Sequence, residues 1–364
     1  MHIGFVLPSL RGGGAERVMV TLSNAMAAAG HRVDLIVVGP GGEYRSEISD
    51  SVQLIELKKN RILRALFRLR KYIVRQRPEY LVSTMTHVNI AVLLANMLAG
   101  TRRSSVCVRE AAAPLSSAKN ATTITGKLLP MCIFLVYRFS YRVLAVSTDV
   151  RNELLEIDTG LTEKTELFYN PVFSADLLAR SNSNPQHPWL QHKQLPVIIG
   201  MGRLVVQKNF RLLLQAVALV QKTVAVRLIV YGEGPLRDEL TALVQELGLC
   251  HLVDLPGFVH NPFAELRAAD LFVLSSNWEG LPNVLIQSLA CGTAVVSTDS
   301  PGGSREILQD GEWGELVAMD QPEQLSQAII RQLNSPIAAN YETRARDFSV
   351  DRAVRQLESL CNES

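Results

Sequence analysis

The chain has 364 residues, 47% hydrophobic and 20% charged, which excludes a disordered or low-complexity protein and leaves room for two ordinary domains. Its formal net charge of +2 hides an asymmetry: residues 1–172 carry 22 Lys/Arg against 14 Asp/Glu, and the rest carries 15 against 21. A basic half beside an acidic half fits either a first half that faces something anionic or a chance excess of solvated charge.

In chain order, "IGFVLPSL" reads as a strand; it lacks a cationic n-region and is broken by Pro8, so it is not a signal peptide. Gly12, Gly13 and Gly14 follow, ahead of a predicted helix over 15–29 that Gly30 ends. Without Cβ atoms these glycines suit either a tight turn or a phosphate at a helix N-terminus, although neither the dinucleotide fingerprint nor a Walker loop is present. "RVDLIVVG", "VQLIEL", "YLVSTM", "SSVCVRE" and "RVLAVS" are further strands, whose near-continuous apolar runs suit parallel strands buried on both faces. His87, in "VSTMTHVNI", and Arg109 with Glu110, in "VCVREAA", follow two of these strands and are expected at a cleft; a satisfied structural histidine is the alternative for His87.

From Lys58 to Pro78 there are nine Lys/Arg (58, 59, 61, 64, 68, 70, 71, 75 and 77) and no acid. Ile62, Leu66, Leu69 and Ile73 recur at helical spacing, with Leu63, Phe67 and Val74 beside them. This pattern fits a basic amphipathic helix lying on an anionic membrane, or a helix packed on the sheet with solvated cations outside. A nucleic-acid partner fits less well, because stacking aromatics are sparse and the second half is acidic. The longest apolar run, Leu128–Phe139, falls short of the ~18 residues a spanning helix needs and contains Pro130; it is a candidate for the same membrane-facing side.

Residues 172–195, rich in Pro, Asn and Ser, read as an interdomain linker. The alternation then restarts with "PVIIGMGRL", "VRLIVYGEG", "HLVDLPGF", "DLFVLSS" and "TAVVSTDS". The expected fold is therefore α/β: two Rossmann-like domains, 1–172 and 173–364, facing each other across a central cleft, with ligands at strand C-terminal ends. The final helix, about 350–362, is a candidate to pack back on the first domain. Arg203 and Lys208, five apart after a strand, can neutralise a diphosphate leaving group or simply be exposed cations at a helix entry. Glu279 precedes a helix that Pro282 starts, and Gln287 lies one and a half turns in, so both can contact one elongated polar ligand. Gly302, Gly303 and Ser304 form a second glycine loop with donors suited to phosphate. The five cysteines are scattered, as in a reduced cytoplasmic protein, and no D-x-D triplet is present to hold a metal-bridged diphosphate.

Together "GGGAERV", "YNPV", "GRL…QKN", "YGEGPLR", "PGF", "SSNWEGLPNVLIQSLACGTAVVSTDSPGGSREIL" and "GELV" resemble, in order and over the whole length, family 4 retaining glycosyltransferases of the GT-B architecture. The resemblance implies a UDP-sugar donor, no metal and no resident cofactor. It places Gly13 and Gly14 against the diphosphate, and assigns Arg203 and Lys208 to the same group as it leaves. Glu279 then contacts the donor sugar, Gly280, Leu281 and Pro282 line that site, and the base lies near Gly257 and Phe258. Gln287 stands where the family usually has an acid on the ribose hydroxyls; it can accept and donate, but lacks the charge-assisted bond. His87 would bond a donor-sugar hydroxyl or phosphate. A dedicated base is not required if the leaving phosphate takes the acceptor's proton. With the basic helix, the implied acceptor is a polyprenyl-diphosphate-linked saccharide, reached from the cytoplasmic face of the cell membrane. An epimerase, a soluble-acceptor synthase or a non-catalytic sugar-nucleotide binder are the other readings of the same fold.

Overall fold

The computed structural model describes residues 1–58, 62–101, 103–337 and 340–362. Its contacts divide the chain into two units: Met1–Pro171 together with the chain from Val350 onward, and Val172–Ser349. The first unit contains β1 (His2–Leu7), α1 (Gly14–Ala28), β2 (Arg32–Val37), β3 (Val52–Glu56), α2 (Ile62–Gln76), β4 (Tyr80–Thr84) and α3 (Thr86–Leu98). It continues with β5 (Ser105–Glu110), α4 (Pro114–Lys119), α5 (Ile124–Lys127), α6 (Leu129–Val136), β6 (Arg142–Ala145), α7 (Thr148–Ile157) and β7 (Thr165–Leu167). The second unit opens on α8 (Ala175–Ser181) and α9 (Pro188–Gln191). There follow β8 (Val197–Met201), α10 (Phe210–Val220), β9 (Arg227–Tyr231), α11 (Arg237–Glu246), β10 (Val253–Gly257), α12 (Pro262–Ala268) and β11 (Leu271–Leu274). It closes with α13 (Asn283–Ala290), β12 (Val295–Thr298), α14 (Ser304–Leu308), β13 (Glu315–Val317), α15 (Pro322–Asn334) and α16 (Tyr341–Ala345). The last helix, α17 (Val350–Asn362), returns to the first unit.

Every strand pair in both sheets is parallel. The seven-stranded order is β3-β2-β1-β4-β5-β6-β7 and the six-stranded order is β10-β9-β8-β11-β12-β13. Both are Rossmann-like, reversing direction between the first strand and the fourth. Strands such as "HIGFVL" and "LFVL" are buried along their whole length, because helices cover both sheet faces.

The segment expected as a linker is ordered on the second unit. Ser174 caps α8 by accepting from the Leu177 amide, and the fully buried Glu265 carboxylate accepts from the amides of Gln186 and His187 and from the Tyr231 hydroxyl. Its Pro/Ser-rich composition reflects helix caps and tight turns rather than a loose connection. α17 packs on α1, and Leu357 and Leu360 join Phe5, Met19 and Met26 in one core. His31 Nε2 lies 2.8 Å from Glu358 Oε1, and the Gln356 amide donates to the Leu167 carbonyl at 2.7 Å.

Half of the expected apolar stripe of α2 is core: Leu69 and Ile73 are buried, with Ala65 and Tyr72 beside them, and the Tyr72 hydroxyl donates to Asp34 Oδ2 at 2.7 Å. Ile62, Leu66 and Val74 are half-buried. What α2 leaves outside is Phe67 and the cations Arg64, Arg68, Arg70, Lys71 and Arg75. The expected cations Lys59 and Arg61, and the side chain of Leu63, lie outside the described residues. Among the described residues no helix is long and apolar enough to cross a membrane.

Candidate functional site

In the second unit the direction reversal falls between the neighbouring strands β8 and β11, and the loops after them carry the residues singled out by sequence. The β8 loop supplies Arg203 and Lys208; the β11 loop supplies Ser276 and Glu279. Lys208 Nζ lies 2.6 Å from Glu279 Oε1, and the Ser276 hydroxyl donates to that same oxygen at 2.6 Å. Both charged side chains are largely buried, so the pair is shielded from the screening that weakens surface pairs. Arg203 is exposed, and among the described residues its side chain has no ion-pair or hydrogen-bond partner. Ser276 is a site residue to which sequence reasoning gave no role.

Backbone bonds fix these loops against each other. The Asn277 amide donates to the Gln207 carbonyl at 2.8 Å, and its side chain donates to the Val206 carbonyl. Gln207 in turn donates to the Trp278 carbonyl, and Asn209 caps α10 while bonding Asn277. Gly302 (φ 118°) lies so close that a Cβ there would meet the Glu279 carbonyl, and the Glu279 amide donates to the Pro301 carbonyl at 2.8 Å. Gly232 (φ 135°) packs on the Gly202 carbonyl with the same intolerance for a side chain. Glu279 is thereby placed by backbone on two sides.

Gly280, Leu281 and Pro282 are buried beside it, and Pro282 precedes α13. Gln287 is 8% exposed, and among the described residues its amide has no side-chain hydrogen bond. Phe258 is 49% exposed, edge-on to His260, next to Gly257, whose carbonyl accepts from the Gly232 amide. The Gly303 amide donates to the Gly280 carbonyl at 2.9 Å, and Ser304 is fully buried, its hydroxyl without a hydrogen-bond partner among the described residues.

In the first unit the reversal falls between β1 and β4. In the glycine loop after β1 the amides of Gly12 and Gly13 are bonded within the chain. The Gly12 amide donates to the Glu43 carboxylate at 2.6 Å, the Gly13 amide donates to the Arg11 carbonyl, and the buried Glu16 carboxylate folds back against Gly13. Glu16 is the third residue of α1, where a carboxylate complements the helix dipole.

After β4, Met85 takes φ 72° and ψ 132°, a conformation a β-carbon disfavours, and α3 begins at Thr86 with His87 next. His87 is exposed, yet the protein mass around it lowers its pKa by desolvation, which favours the neutral imidazole. Arg109 and Glu110 are not surface residues: both are at most 2% exposed. The Arg109 guanidinium donates to Thr84 Oγ1 at 2.7 Å and to Asn170 Oδ1, and burial lowers its pKa to about 10. The Glu110 carboxylate accepts from Thr86 Oγ1 at 2.9 Å and from the Tyr137 hydroxyl at 2.7 Å, and burial raises its pKa to about 7. Asn89 joins the network by donating to Tyr137 and to the Arg109 carbonyl. The pair therefore braces the β4–α3 turn from below, correcting its expected place at a cleft surface.

Two Rossmann-like domains with these switch-point loops define a GT-B glycosyltransferase fold. Over its full length the chain is similar to HepE from Anabaena, solved in complex with UDP, with 21% identity, 100% of both chains covered and a TM-score of 0.81. Residues 12–174 match the family described as Glycosyltransferase Family 4, and residues 195–335 match Glycosyl transferases group 1. The chain belongs to the family 4 glycosyltransferases, with a group 1 domain as its second half.

Two relatives come from Campylobacter jejuni. The first, N-acetylgalactosamine-N,N'-diacetylbacillosaminyl-diphospho-undecaprenol 4-alpha-N-acetylgalactosaminyltransferase, is 29% identical over 94% of this chain and 93% of its own length. The second, GalNAc-alpha-(1->4)-GalNAc-alpha-(1->3)-diNAcBac-PP-undecaprenol alpha-1,4-N-acetyl-D-galactosaminyltransferase, is 26% identical over 100% and 99%.

Proposed function

We propose that this glycosyltransferase moves a hexose or N-acetylhexosamine from a UDP-sugar to a polyprenyl-diphosphate-linked saccharide, with retention at the anomeric carbon. The observation that carries the reading is the cation pair at the reversal of the six-stranded sheet: Arg203 open to solvent and Lys208 held beside Glu279. As the bond from anomeric carbon to phosphate oxygen breaks, negative charge grows on the diphosphate. A fixed cation there is worth about 10²–10³ in rate, the scale of one preorganised transition-state contact. The leaving phosphate oxygen takes the proton of the attacking hydroxyl on the face it vacates. The two cations supply the neutralisation that a divalent metal supplies elsewhere, so the reaction is assigned no metal and no resident cofactor.

Glu279 then accepts from donor-sugar hydroxyls, and Gln287 meets the ribose. Phe258 offers an exposed ring on which the uracil stacks. On the first unit, neutral His87 is kept for a sugar or acceptor hydroxyl. The acceptor class is supported by the names of the two Campylobacter relatives, and UDP by the complexed HepE. The reaction is assigned to the cytoplasmic face of the cell membrane, where the outward cations of α2 meet anionic lipid.

The test is a panel of UDP- and GDP-sugars with a synthetic prenyl-diphosphate saccharide, following nucleotide release and product anomer. Acceptor-dependent release of UDP with a retained anomer is expected. Release only from GDP-sugars, or an inverted product, overturns the corresponding part.

A further inference from the structure

Six of the eleven large apolar side chains exposed in the described residues fall in one short segment. They are Ile124, Leu128, Met131, Phe134, Leu135 and Phe139, on α5, α6 and the turn that follows. Ile124 is 77% exposed, Met131 54% and Leu135 51%. On α6 Ile133 is buried, Leu129, Pro130, Cys132 and Val136 are half-buried, and Met131, Phe134 and Leu135 are exposed; Tyr137, just past it, is buried. A soluble surface rarely exposes so contiguous an apolar stretch without an occupant.

The surroundings specify that occupant. α3 packs against α2 on one side and against α6 on the other, so the basic helix and the apolar helix belong to one layer. Arg70 of α2 donates to the carbonyl of Leu98, itself exposed at the end of α3. From Lys58 to Thr148 the sequence holds sixteen Lys/Arg and two acids, Glu79 and Glu110. Glu110 is buried and Glu79 accepts from the His2 amide, while α7, which also packs on α6, carries the exposed acids Asp149 and Glu156. Lys127 and Arg138 flank it, and Lys164 donates to the carbonyls of Arg138 and Ser140 just past α6, satisfying backbone acceptors there. A bilayer containing anionic lipid has the matching order: an apolar interior for the six side chains and a negative surface for the cations.

We propose that α5 and α6 form a wedge that inserts into the interfacial region of an anionic membrane, with the cations of α2 lying on the headgroups beside it. Insertion by the wedge supplies the apolar part of membrane attachment. The proposal deepens the lipid-linked acceptor reading and rests on it for its biological setting, while vesicle binding itself is measurable without catalysis.

The test uses the full chain with phosphatidylcholine vesicles, and with phosphatidylcholine mixed with phosphatidylglycerol, read by co-sedimentation. Wild type is expected to bind the anionic vesicles. The Met131→Ser, Leu135→Ser double variant changes only exposed side chains and is expected to bind roughly 100-fold more weakly, from two lost apolar insertions. An Arg64→Ser, Lys71→Ser variant is expected to lose the preference for phosphatidylglycerol by roughly tenfold or more and to keep residual apolar binding. Unchanged binding by the α6 variant, or no binding by wild type, overturns the wedge. So does a gel-filtration dimer of wild type that the α6 variant dissolves, since the patch would then seat a second copy. Turnover on a water-soluble short-chain acceptor separates the two readings: the α6 variant is expected to retain it. If wild type binds vesicles but turns over no nucleotide sugar, the transferase assignment falls and the wedge stands.

Discussion

The two sheets share one strand order and use its reversal point differently. In the six-stranded unit the loops at the reversal are tied to one another and keep a cation in the open, with a second cation held by Glu279. In the seven-stranded unit carboxylates turn inward near the corresponding edge: Glu16 of α1 over Gly13, and Glu110 at the end of β5 beneath Thr86. One topology therefore carries cations at its edge in one unit and inward-turned carboxylates near that edge in the other. Strand order locates a site; the signs of the loop side chains decide what it can hold.

The contrast breaks first at Lys208. Lys208→Ala is expected to lower UDP-sugar turnover by roughly 10²-fold or more. It should also lower the melting temperature, because Glu279 is left largely buried without its cation. Near-normal turnover would remove the central assumption. Arg203→Ala sharpens the point: a comparable loss of turnover with an unchanged melt is expected, since Arg203 is exposed and unpaired among the described residues.

A smaller effect tests the inward carboxylate of the other unit. Because burial raises Glu110 to about 7, the folded chain holds that proton more tightly than the unfolded chain, whose carboxylate titrates near 4.5. Its contribution is complete below that lower value and is lost as pH climbs through 7. Wild type should lose roughly 1–3 kcal/mol of stability between pH 5 and pH 8 that Glu110→Gln does not lose. Parallel melts at the two pH values decide it, and identical slopes would place the Glu110 proton elsewhere. Smallest is Gln287→Glu, expected to tighten UDP binding by roughly fivefold to tenfold through charge-assisted bonds to the ribose. Calorimetry showing weaker binding would count against that placement.

Much of the fold was legible because buried parallel strands are written as apolar runs that local pattern detects. β7 and β13, three residues each and part polar, carry too little pattern to be read. The segment after Asn170 looked loose because its principal anchor, Glu265, lies some eighty residues downstream. Local reading likewise left the α2 stripe open between lipid and sheet, since periodicity reports that a helix has an apolar face and not what covers it. Lys208 and Glu279 were found as site residues, but their mutual bond was not, being a contact across 71 positions. Arg109 and Glu110 were misplaced because charge at a strand end usually means surface. The partners Thr84 and Thr86 of the β4–α3 turn, Asn170 and Tyr137, supplied by three other segments, make their burial possible.

The return of α17 has a consequence for how the polypeptide is made. Leu357, Leu360 and the Cys361 carbonyl, which accepts from the Tyr80 hydroxyl, complete a core whose other members are translated more than 180 residues earlier. The ribosome thus delivers the whole of 172–349 before the unit that holds β1 can close, and truncation ahead of α17 would leave a hole in that unit's core.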